Sequence, residues 1–236
     1  MKGGKDHVSE AAYDAEAFTG VYDGGNYTIS TFLMENGTDY GALFNSIYNA
    51  TIKNLKLSWG SSTLCANSSA SGGDTGASFV GVAKASTLQN LTTVAGTVTT
   101  VSASKDFGGI VGYLMAGSTV DSCTNALNVA SLKDTGRKCG GIAIITQGGT
   151  GTAVIRNCKN SGTVTAANKG GILGYVGVAT EIDGCENTAA LQLFHFQSGS
   201  VTASGVNKGN ATVASNDKSG GVSGLYFATV SGDVAT

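Results

Sequence analysis

The 236-residue chain contains no proline, and charged residues make up only 13% of it. Proline has no backbone N–H, so its absence fits a chain whose strands donate hydrogen bonds to neighbours on both sides. Gly, Ser, Thr, Asn, Val and Ala dominate, whereas Glu and Lys are scarce. This composition tells against helices and coiled coils. It favours many short strands joined by Gly, Asn and Ser turns.

Other absences exclude classes of partner. The net charge is −2 without a basic block, so nucleic-acid binding has no electrostatic basis. No apolar run approaches the roughly 18 residues that cross a bilayer, and MKGGKDHVSE has no signal-peptide core. We therefore expect no membrane insertion and no signal peptide in this segment. Either the protein is cytoplasmic, or the chain is a mature or excised piece of a longer one.

Metal ligands and redox cysteines are also scarce. There is no CxxC pair, and His7 and His195 lie far apart in the chain, so we predict neither a metal site nor a cofactor. Three of the five cysteines, Cys123, Cys158 and Cys185, share one position of a repeat. A disulfide framework more often fixes loops, so we interpret these three as buried, uncharged thiols.

The repeat itself is the dominant feature of the chain. Its clearest copy is DFGGIVGYLMAGSTVDSCTNALNV (106–129), which recurs as KCGGIAIITQGGTGTAVIRNCKNSGTV (138–164) and as KGGILGYVGVATEIDGCENTAAL (169–191). Copies begin about 30 residues apart, a period typical of solenoids. If the second Gly of each Gly-Gly is the marker, the equivalent positions are Ala42, Ser78, Gly109, Gly141, Gly171, Gln192 and Gly221.

Like residues occur at like positions in successive copies. The position after the marker is apolar throughout, and a second strand carries apolar pairs such as Val120/Cys123 and Ile155/Cys158. An Asn follows two residues after the Cys in three copies, at Asn125, Asn160 and Asn187. Asn tolerates left-handed turns and can hydrogen-bond to its equivalent in the next coil. We therefore predict an all-β parallel solenoid with about seven coils and three short strands per coil.

The solenoid divides into predicted regions. Residues 1–12 are polar and form a flexible lead, and residues 13–236 form the solenoid. Within it, 13–59 is an aromatic-rich first coil or cap, 60–77 a protruding loop, and 78–236 the repeat coils. The last copy ends at Thr236 before its third strand. An uncapped core is an aggregation hazard, so we expect neighbouring domains of the same polypeptide, or a partner, at that end.

The motifs GGIVGY…VDSC, GGIAII…IRNCKNSGTV and GGILGY…IDGCENT resemble GLUG-type repeats. The resemblance is specific over 106–191 and looser over 37–105 and 192–236, where some copies keep only the spacing. It implies a right-handed parallel β-helix of the kind found in large secreted or surface proteins of bacteria, often adhesin-like. It implies an extracellular or cell-surface location and no catalytic residues.

Two functions follow as hypotheses. The first is a non-catalytic structural or adhesive module that binds a glycan or protein surface. The second is a polysaccharide-degrading enzyme, a lyase or glycoside hydrolase, with Asp121, Arg156 and Asp183 on consecutive outward rungs. These three belong to a mixed-charge row that begins with Lys53 and Gln89. Alternating charges also stabilise a solvated sheet face, so the row has a structural alternative.

A candidate partner-binding stripe lies two positions past the marker. Its residues are Phe44, Val80, Val111, Ala143, Leu173 and Phe194. Strand alternation next to a core column places them outside, where a continuous apolar stripe would bind another domain. The alternative is a bend that turns both columns inward. The candidate binding residues are Trp59, Val111, Leu173 and Phe194.

Charges before the Gly-Gly, such as Asp106 and Lys138, form either an anion- or glycan-binding edge or solvated corners.

Overall fold

The computed structural model describes residues 17–32, 40–59, 74–100, 105–131, 137–166, 168–189, 194–196, 201–207 and 234–235. All regular elements in these ranges are strands. They are β1 (Phe18–Asp23), β2 (Thr28–Phe32), β3 (Tyr40–Gly41), β4 (Phe44–Trp59), β5 (Asp74–Ala77), β6 (Val80–Lys84), β7 (Thr87–Thr100), β8 (Lys105–Gly108), β9 (Val111–Ala116), β10 (Thr119–Asp121), β11 (Thr124–Ser131), β12 (Lys138–Gly140), β13 (Ala143–Gly149), β14 (Ala153–Arg156), β15 (Lys159–Asn160), β16 (Val164–Thr165), β17 (Asn168–Gly170), β18 (Leu173–Val176), β19 (Thr180–Asn187), β20 (Phe194–Phe196), β21 (Val201–Asn207) and β22 (Val234–Ala235).

Strands one turn apart pair in parallel, which makes the fold a β-solenoid. The smaller of its two sheets stacks β3, β5, β8, β12 and β17, so these five strands span about four turns. The one antiparallel pairing in the described ranges joins β21 to β22. The predicted all-β parallel solenoid is confirmed. The predicted seven coils of three strands are not confirmed, since the turn over 105–131 contains four strands, β8 to β11.

The repeat sets the register of the strands, as predicted. Val120 lies beside Leu88 on one side and Ile155 on the other, and Ile155 lies beside Ile182. All four side chains are fully buried. An apolar row of this kind runs along the axis of the solenoid and fills its narrow interior, and burial of such side chains contributes most of the stabilisation.

The Gly-Gly marker is a corner at which the backbones of successive turns nearly touch. After β12 ends at Gly140, the chain bends at Gly141 and Ile142 before β13 begins. A Cβ on Gly141 would collide with the carbonyl oxygen of Gly171 and with the side-chain amide of Asn160. Glycine is required here because the space is occupied, not because of an unusual dihedral angle.

The space opposite the Gly-Gly is filled by stacked asparagines. Asn160 Nδ2 donates to Asn187 Oδ1 at 2.9 Å and to the Gly162 carbonyl at 2.9 Å. Asn125 Nδ2 donates to Asn160 Oδ1 at 2.8 Å, and all three amides are buried. The predicted bonding between neighbouring turns is confirmed. The suggestion of a left-handed turn at these positions is wrong, because none of the three has a positive φ.

The cysteine column is buried as predicted. Cys123, Cys158 and Cys185 are free thiols with at most 1% exposure, and Cys139 is also free and buried. Burial raises the pKa of Cys158 well above its usual value and raises that of Cys139 to about 12. These thiols therefore stay protonated at neutral pH and act as small apolar side chains. Cys65 lies outside the described residues.

Aromatic side chains close the N-terminal end of the core. Phe18 packs against Phe44 with ring centroids 5.3 Å apart, and Phe32 packs against Trp59 at 4.8 Å. The predicted flexible lead, 1–12, lies outside the described residues. So does most of the predicted loop at 60–77, but its last four residues form β5, which pairs with β3 and β8. The repeat therefore resumes at Asp74.

The corner glycine can be tested by substitution. We expect Gly141→Ala to lower the free energy of unfolding by roughly 3 kcal/mol, because the new methyl group meets a backbone carbonyl that cannot move independently. Chemical denaturation measured by circular dichroism gives the value. Gly96→Ala is the matched control. A Cβ at Gly96 has no neighbour closer than 3.4 Å, so its stability should stay within about 1 kcal/mol of wild type. Equal losses in both variants would contradict the corner argument.

The buried amide stack makes a second prediction. Asn160→Ala should cost about 3 kcal/mol of unfolding free energy, because Asn125, Asn187 and the Gly162 carbonyl each lose one buried hydrogen bond. The control is Ser161→Ala, the adjacent exposed position, whose hydroxyl makes only a 3.4 Å bond to the Asn125 carbonyl. Its expected cost is under about 1 kcal/mol. If Asn160→Ala lowers the free energy of unfolding no more than Ser161→Ala does, the stack contributes little to stability.

Candidate functional site

The mixed-charge row exists in the predicted register. Asp121 lies beside Gln89 and Arg156, and Arg156 lies beside Asp183. Lys53 precedes Gln89, and Asp23 of β1 adds a further member at the N-terminal end. Consecutive rungs are about 4.8 Å apart. The structure therefore brings the three predicted catalytic residues together on one face.

The contacts of Asp121 are those of a structural carboxylate. Its Oδ2 accepts from Arg156 Nε at 2.9 Å, and its Oδ1 accepts from Asn157 Nδ2 at 3.1 Å and Ser122 Oγ at 2.8 Å. Partial burial raises the pKa of Asp121, but these hydrogen bonds and the Arg156 charge outweigh that effect and leave the pKa below its usual value. A carboxyl with a lowered pKa is unsuited to the general acid of glycoside cleavage.

A column of left-handed residues directly follows the charged row. Asn54, Asn90, Ser122, Asn157 and Gly184 have φ between 51° and 58°. Each turns the chain between its outward rung and the next buried position. The column was not predicted, although its signal is visible in the sequence: in four of the five copies the residue after the outward rung is Asn or Gly, the types that adopt positive φ most readily, and in the fifth it is Ser122.

At the N-terminal end, this column becomes a network of exposed amides. Asn90 Nδ2 donates to Asn54 Oδ1 at 2.8 Å and to Asn26 Oδ1 at 3.2 Å. Asn54 Nδ2 donates to Asp23 Oδ1 at 3.0 Å, and Lys53 Nζ lies 3.4 Å from Asp23 Oδ2. The Gly25 amide and the Asn54 side chain hold the pKa of Asp23 below its usual value. The network therefore fixes polar groups of three turns in one arrangement.

Tyr27 lies next to this network and is the most exposed large hydrophobic residue described, at 79%. Its amide donates to the Gly24 carbonyl at 2.9 Å, and its carbonyl accepts from the Lys56 amide at 2.9 Å. A Cβ on Gly25 would lie 3.2 Å from the Tyr27 ring. The ring is thus packed against the turn at Gly25 while most of it faces solvent. Nothing in the repeat marks this position, so it was not predicted.

The described side chains of the predicted partner-binding stripe are buried, and the prediction of an exposed stripe is wrong for them. Its residues form the expected row, in which Val111 lies beside Ala143 and Ala143 beside Leu173. However, Val111 and Leu173 are both 0% exposed. The chain bends at the two residues before them, so both adjacent columns turn inward. The described side chains of the stripe are part of the core and offer no surface to a partner.

Of the other two candidate binding residues, Trp59 is buried and Phe194 is described only in its backbone. Trp59 is 8% exposed, and its indole Nε1 donates to Ser78 Oγ at 3.1 Å. Its ring packs against Phe32 and Phe107, so it belongs to the closed end of the core and its prediction as a binding residue is wrong. The backbone of Phe194 pairs beside Leu173, while its side chain lies outside the described residues.

Charges before the Gly-Gly pair with one another at the corner. Asp106 Oδ1 accepts from the Lys138 amide at 3.0 Å, and the carboxylate lies 3.7 Å from Arg137 Nη1 and 3.9 Å from Lys138 Nζ. Lys138 Nζ also lies 5.1 Å from the Tyr175 ring centroid. Burial raises the pKa of Asp106 despite these partners. The side chain of Lys105 lies outside the described residues, as does Lys218.

The described ranges contain neither a cluster of metal ligands nor a membrane-spanning helix. No group of three or more His, Cys, Asp and Glu side chains there is arranged to hold a metal ion. Those same ranges contain no helix of the length and apolarity needed to cross a membrane.

The two aspartates should respond to pH with opposite signs. The pKa of Asp121 is lowered on folding, so its contribution to stability is present above the ordinary value and is lost as pH falls. We expect the cost of Asp121→Asn, measured as the difference in unfolding free energy from wild type, to be largest at pH 7. That cost should shrink as pH falls below about 4.

Asp106→Asn is the contrasting variant. The pKa of Asp106 is raised on folding, so wild type is favoured most at low pH, and this advantage is lost as pH rises through the raised pKa. Relative to wild type, Asp106→Asn should therefore gain stability between pH 4 and pH 7. Parallel pH profiles for the two variants would contradict the assigned environments.

Comparison with protein-family models, with curated proteins and with solved structures finds no match to this chain. The fold and the geometry of the polar face therefore stand as the basis for any statement of function.

Proposed function

We propose that the chain is a non-catalytic β-solenoid module of a bacterial cell-surface or secreted protein. It acts as a stiff, adhesive segment that binds a glycan or a protein partner. In this proposal the solenoid is right-handed and GLUG-like, with about seven coils of three strands. Its fold class, a parallel β-solenoid, follows from the parallel pairing of strands one turn apart.

The buried amide stack is the observation that carries the proposal. Asn125, Asn160 and Asn187 join three successive turns through hydrogen bonds of 2.8 and 2.9 Å, all shielded from water. Buried, fully paired polar networks hold a structure rigid. A rod stiffened along its axis suits a spacer or stalk better than an enzyme, which usually needs a cleft.

Pairing at both ends supports the larger number of coils. The row of Ile52 continues outward to Tyr22 of β1, and the row of Ile182 continues to Ala203 of β21. These two strands extend the solenoid on either side of the turns spanned by the smaller sheet. The resemblance of the repeats to the GLUG type supports the right-handed coiling and the surface location in this proposal.

The bonding of the charged row supports a non-catalytic role. Arg156 is tied to Asp121, and Asp121 has a lowered pKa. Neither group is poised for proton transfer. The row instead links the outer faces of adjacent turns, as alternating charges do on solvated sheets.

An adhesion assay tests the proposal. Beads coated with the full chain should bind at least one surface in a panel of immobilised polysaccharides and extracellular-matrix proteins, with retention under flow several-fold above that of uncoated beads. The control is beads coated with the same chain after heat denaturation, because adhesion by a folded face should be lost on unfolding. If beads coated with the folded chain are retained no better than uncoated beads or beads with denatured chain on every surface of the panel, the adhesive role is contradicted.

The same polysaccharides serve for a depolymerisation assay. We expect no change in their chain length after prolonged incubation with the protein, measured by size-exclusion chromatography and reducing-end release. Turnover that Asp183→Ala abolishes would overturn the non-catalytic proposal in favour of the enzyme hypothesis. Turnover that survives Asp183→Ala, Asp121→Ala and Arg156→Ala would indicate a contaminating activity.

A further inference from the structure

The first turn of the solenoid concentrates exposed apolar groups beside fixed polar groups. Three of the four exposed large hydrophobics in the described ranges, Val21, Tyr22 and Tyr27, lie within seven residues of one another. Soluble proteins tolerate single exposed apolar residues, but a group of them beside organised polar side chains marks an interaction site. We call Tyr27, Asp23, Asn26, Asn54 and Asn90 the tyrosine–asparagine patch.

We propose that the tyrosine–asparagine patch binds an uncharged glycan, with the Tyr27 ring against the C–H face of a sugar and the asparagine amides on its hydroxyl groups. This inference rests on the proposed adhesive function and assigns it a location and a ligand class. A pyranose ring presents one apolar face and a rim of hydroxyls that both donate and accept hydrogen bonds. An exposed aromatic ring next to amide side chains matches both features.

The amides of the patch keep bonding capacity for a ligand. Asn90 Nδ2 is used by Asn26 and Asn54, but Asn90 Oδ1 has no hydrogen-bond partner among the described residues. Asn26 Nδ2, which is a donor, likewise has no hydrogen-bond partner among the described residues. One acceptor and one donor therefore face solvent from a network whose other bonds hold them in place. Groups fixed before binding lose little conformational entropy on binding.

The patch is also large enough and suitably charged. Asn26 and Asn54 both accept from Asn90 Nδ2, at 3.2 and 2.8 Å, so the three amides form one cluster that a single sugar ring covers. Asp23 is compensated by Lys53 at 3.4 Å, so the patch has no uncompensated charge to attract an anionic polymer. Tyr27 offers a rigid contact surface with few rotatable bonds.

A protein partner fits the patch less well. Protein interfaces have a central apolar area that excludes water, surrounded by a polar rim. Here a single ring projects at 79% exposure, and the residue before it in the chain, Asn26, belongs to the amide network. This arrangement matches the alternation of C–H faces and hydroxyls on a sugar chain.

The test uses the full chain and a printed array of neutral oligosaccharides built from glucose, galactose, mannose and their N-acetylated forms. Sulfated and uronic-acid glycans are printed beside them. We expect binding to at least one neutral glycan. For that glycan in solution, Tyr27→Ala should weaken affinity at least tenfold, Asn90→Ala several-fold, and Tyr27→Trp little.

Val94→Ala is the matched control. Val94 is exposed at 39% on β7, outside the patch, so its affinity should equal that of wild type. Saturation-transfer NMR provides a second readout, which shows which sugar protons contact the protein. Irradiation of aromatic protons should saturate the sugar C–H protons in wild type and do so less in Tyr27→Ala.

Each contrary outcome has a distinct meaning. Unchanged affinity in Tyr27→Ala, binding restricted to anionic glycans, or an array without binding would overturn the patch assignment. If beads coated with Tyr27→Ala adhere as well as beads coated with the wild-type chain, the patch assignment is overturned, while the proposal of an adhesive module stands. Failure of wild-type beads to adhere to any surface would overturn the proposed function itself.

Discussion

The hydrogen bond between buried asparagine amides of adjacent turns is the interaction on which the rest of the solenoid depends. Asn160 bonds to Asn125 on one side and to Asn187 on the other. These amides occupy the space that a side chain at Gly141 would need, so the glycine corner and the amide stack require each other. The bend at the corner then turns two neighbouring apolar columns into the core.

The repeat was sufficient to predict the stacking of the chain but not its cross-section. The rows of Val120 and Asp121 follow from like residues at a constant spacing, because stacked equivalents must pair in register. The burial of Val111 and Leu173 did not follow, because simple alternation assumes a straight strand and the chain bends just before both. Strand number per turn also depends on such bends, which the repeat does not encode directly.

The candidate site was predictable only where it belongs to the repeat. Asp121, Arg156 and Asp183 were expected on consecutive rungs, and they lie there. The tyrosine–asparagine patch was missed because Tyr27 has no counterpart in later copies, and its surroundings arise from a left-handed turn at Asn26 with a φ of 63°. The proposed glycan site thus lies where one copy departs from the others, and a consensus pattern does not reveal that position.

The pairing of asparagine with glycine also restricts how such a chain can change length. Removal or duplication of one whole turn places an equivalent Asn beside an equivalent Gly-Gly and leaves every buried amide with a partner. Removal of half a turn would bring a bulky side chain against the amide stack and leave polar groups buried without bonds. The length of this rod is therefore free to vary in evolution only by whole turns, each adding about 4.8 Å.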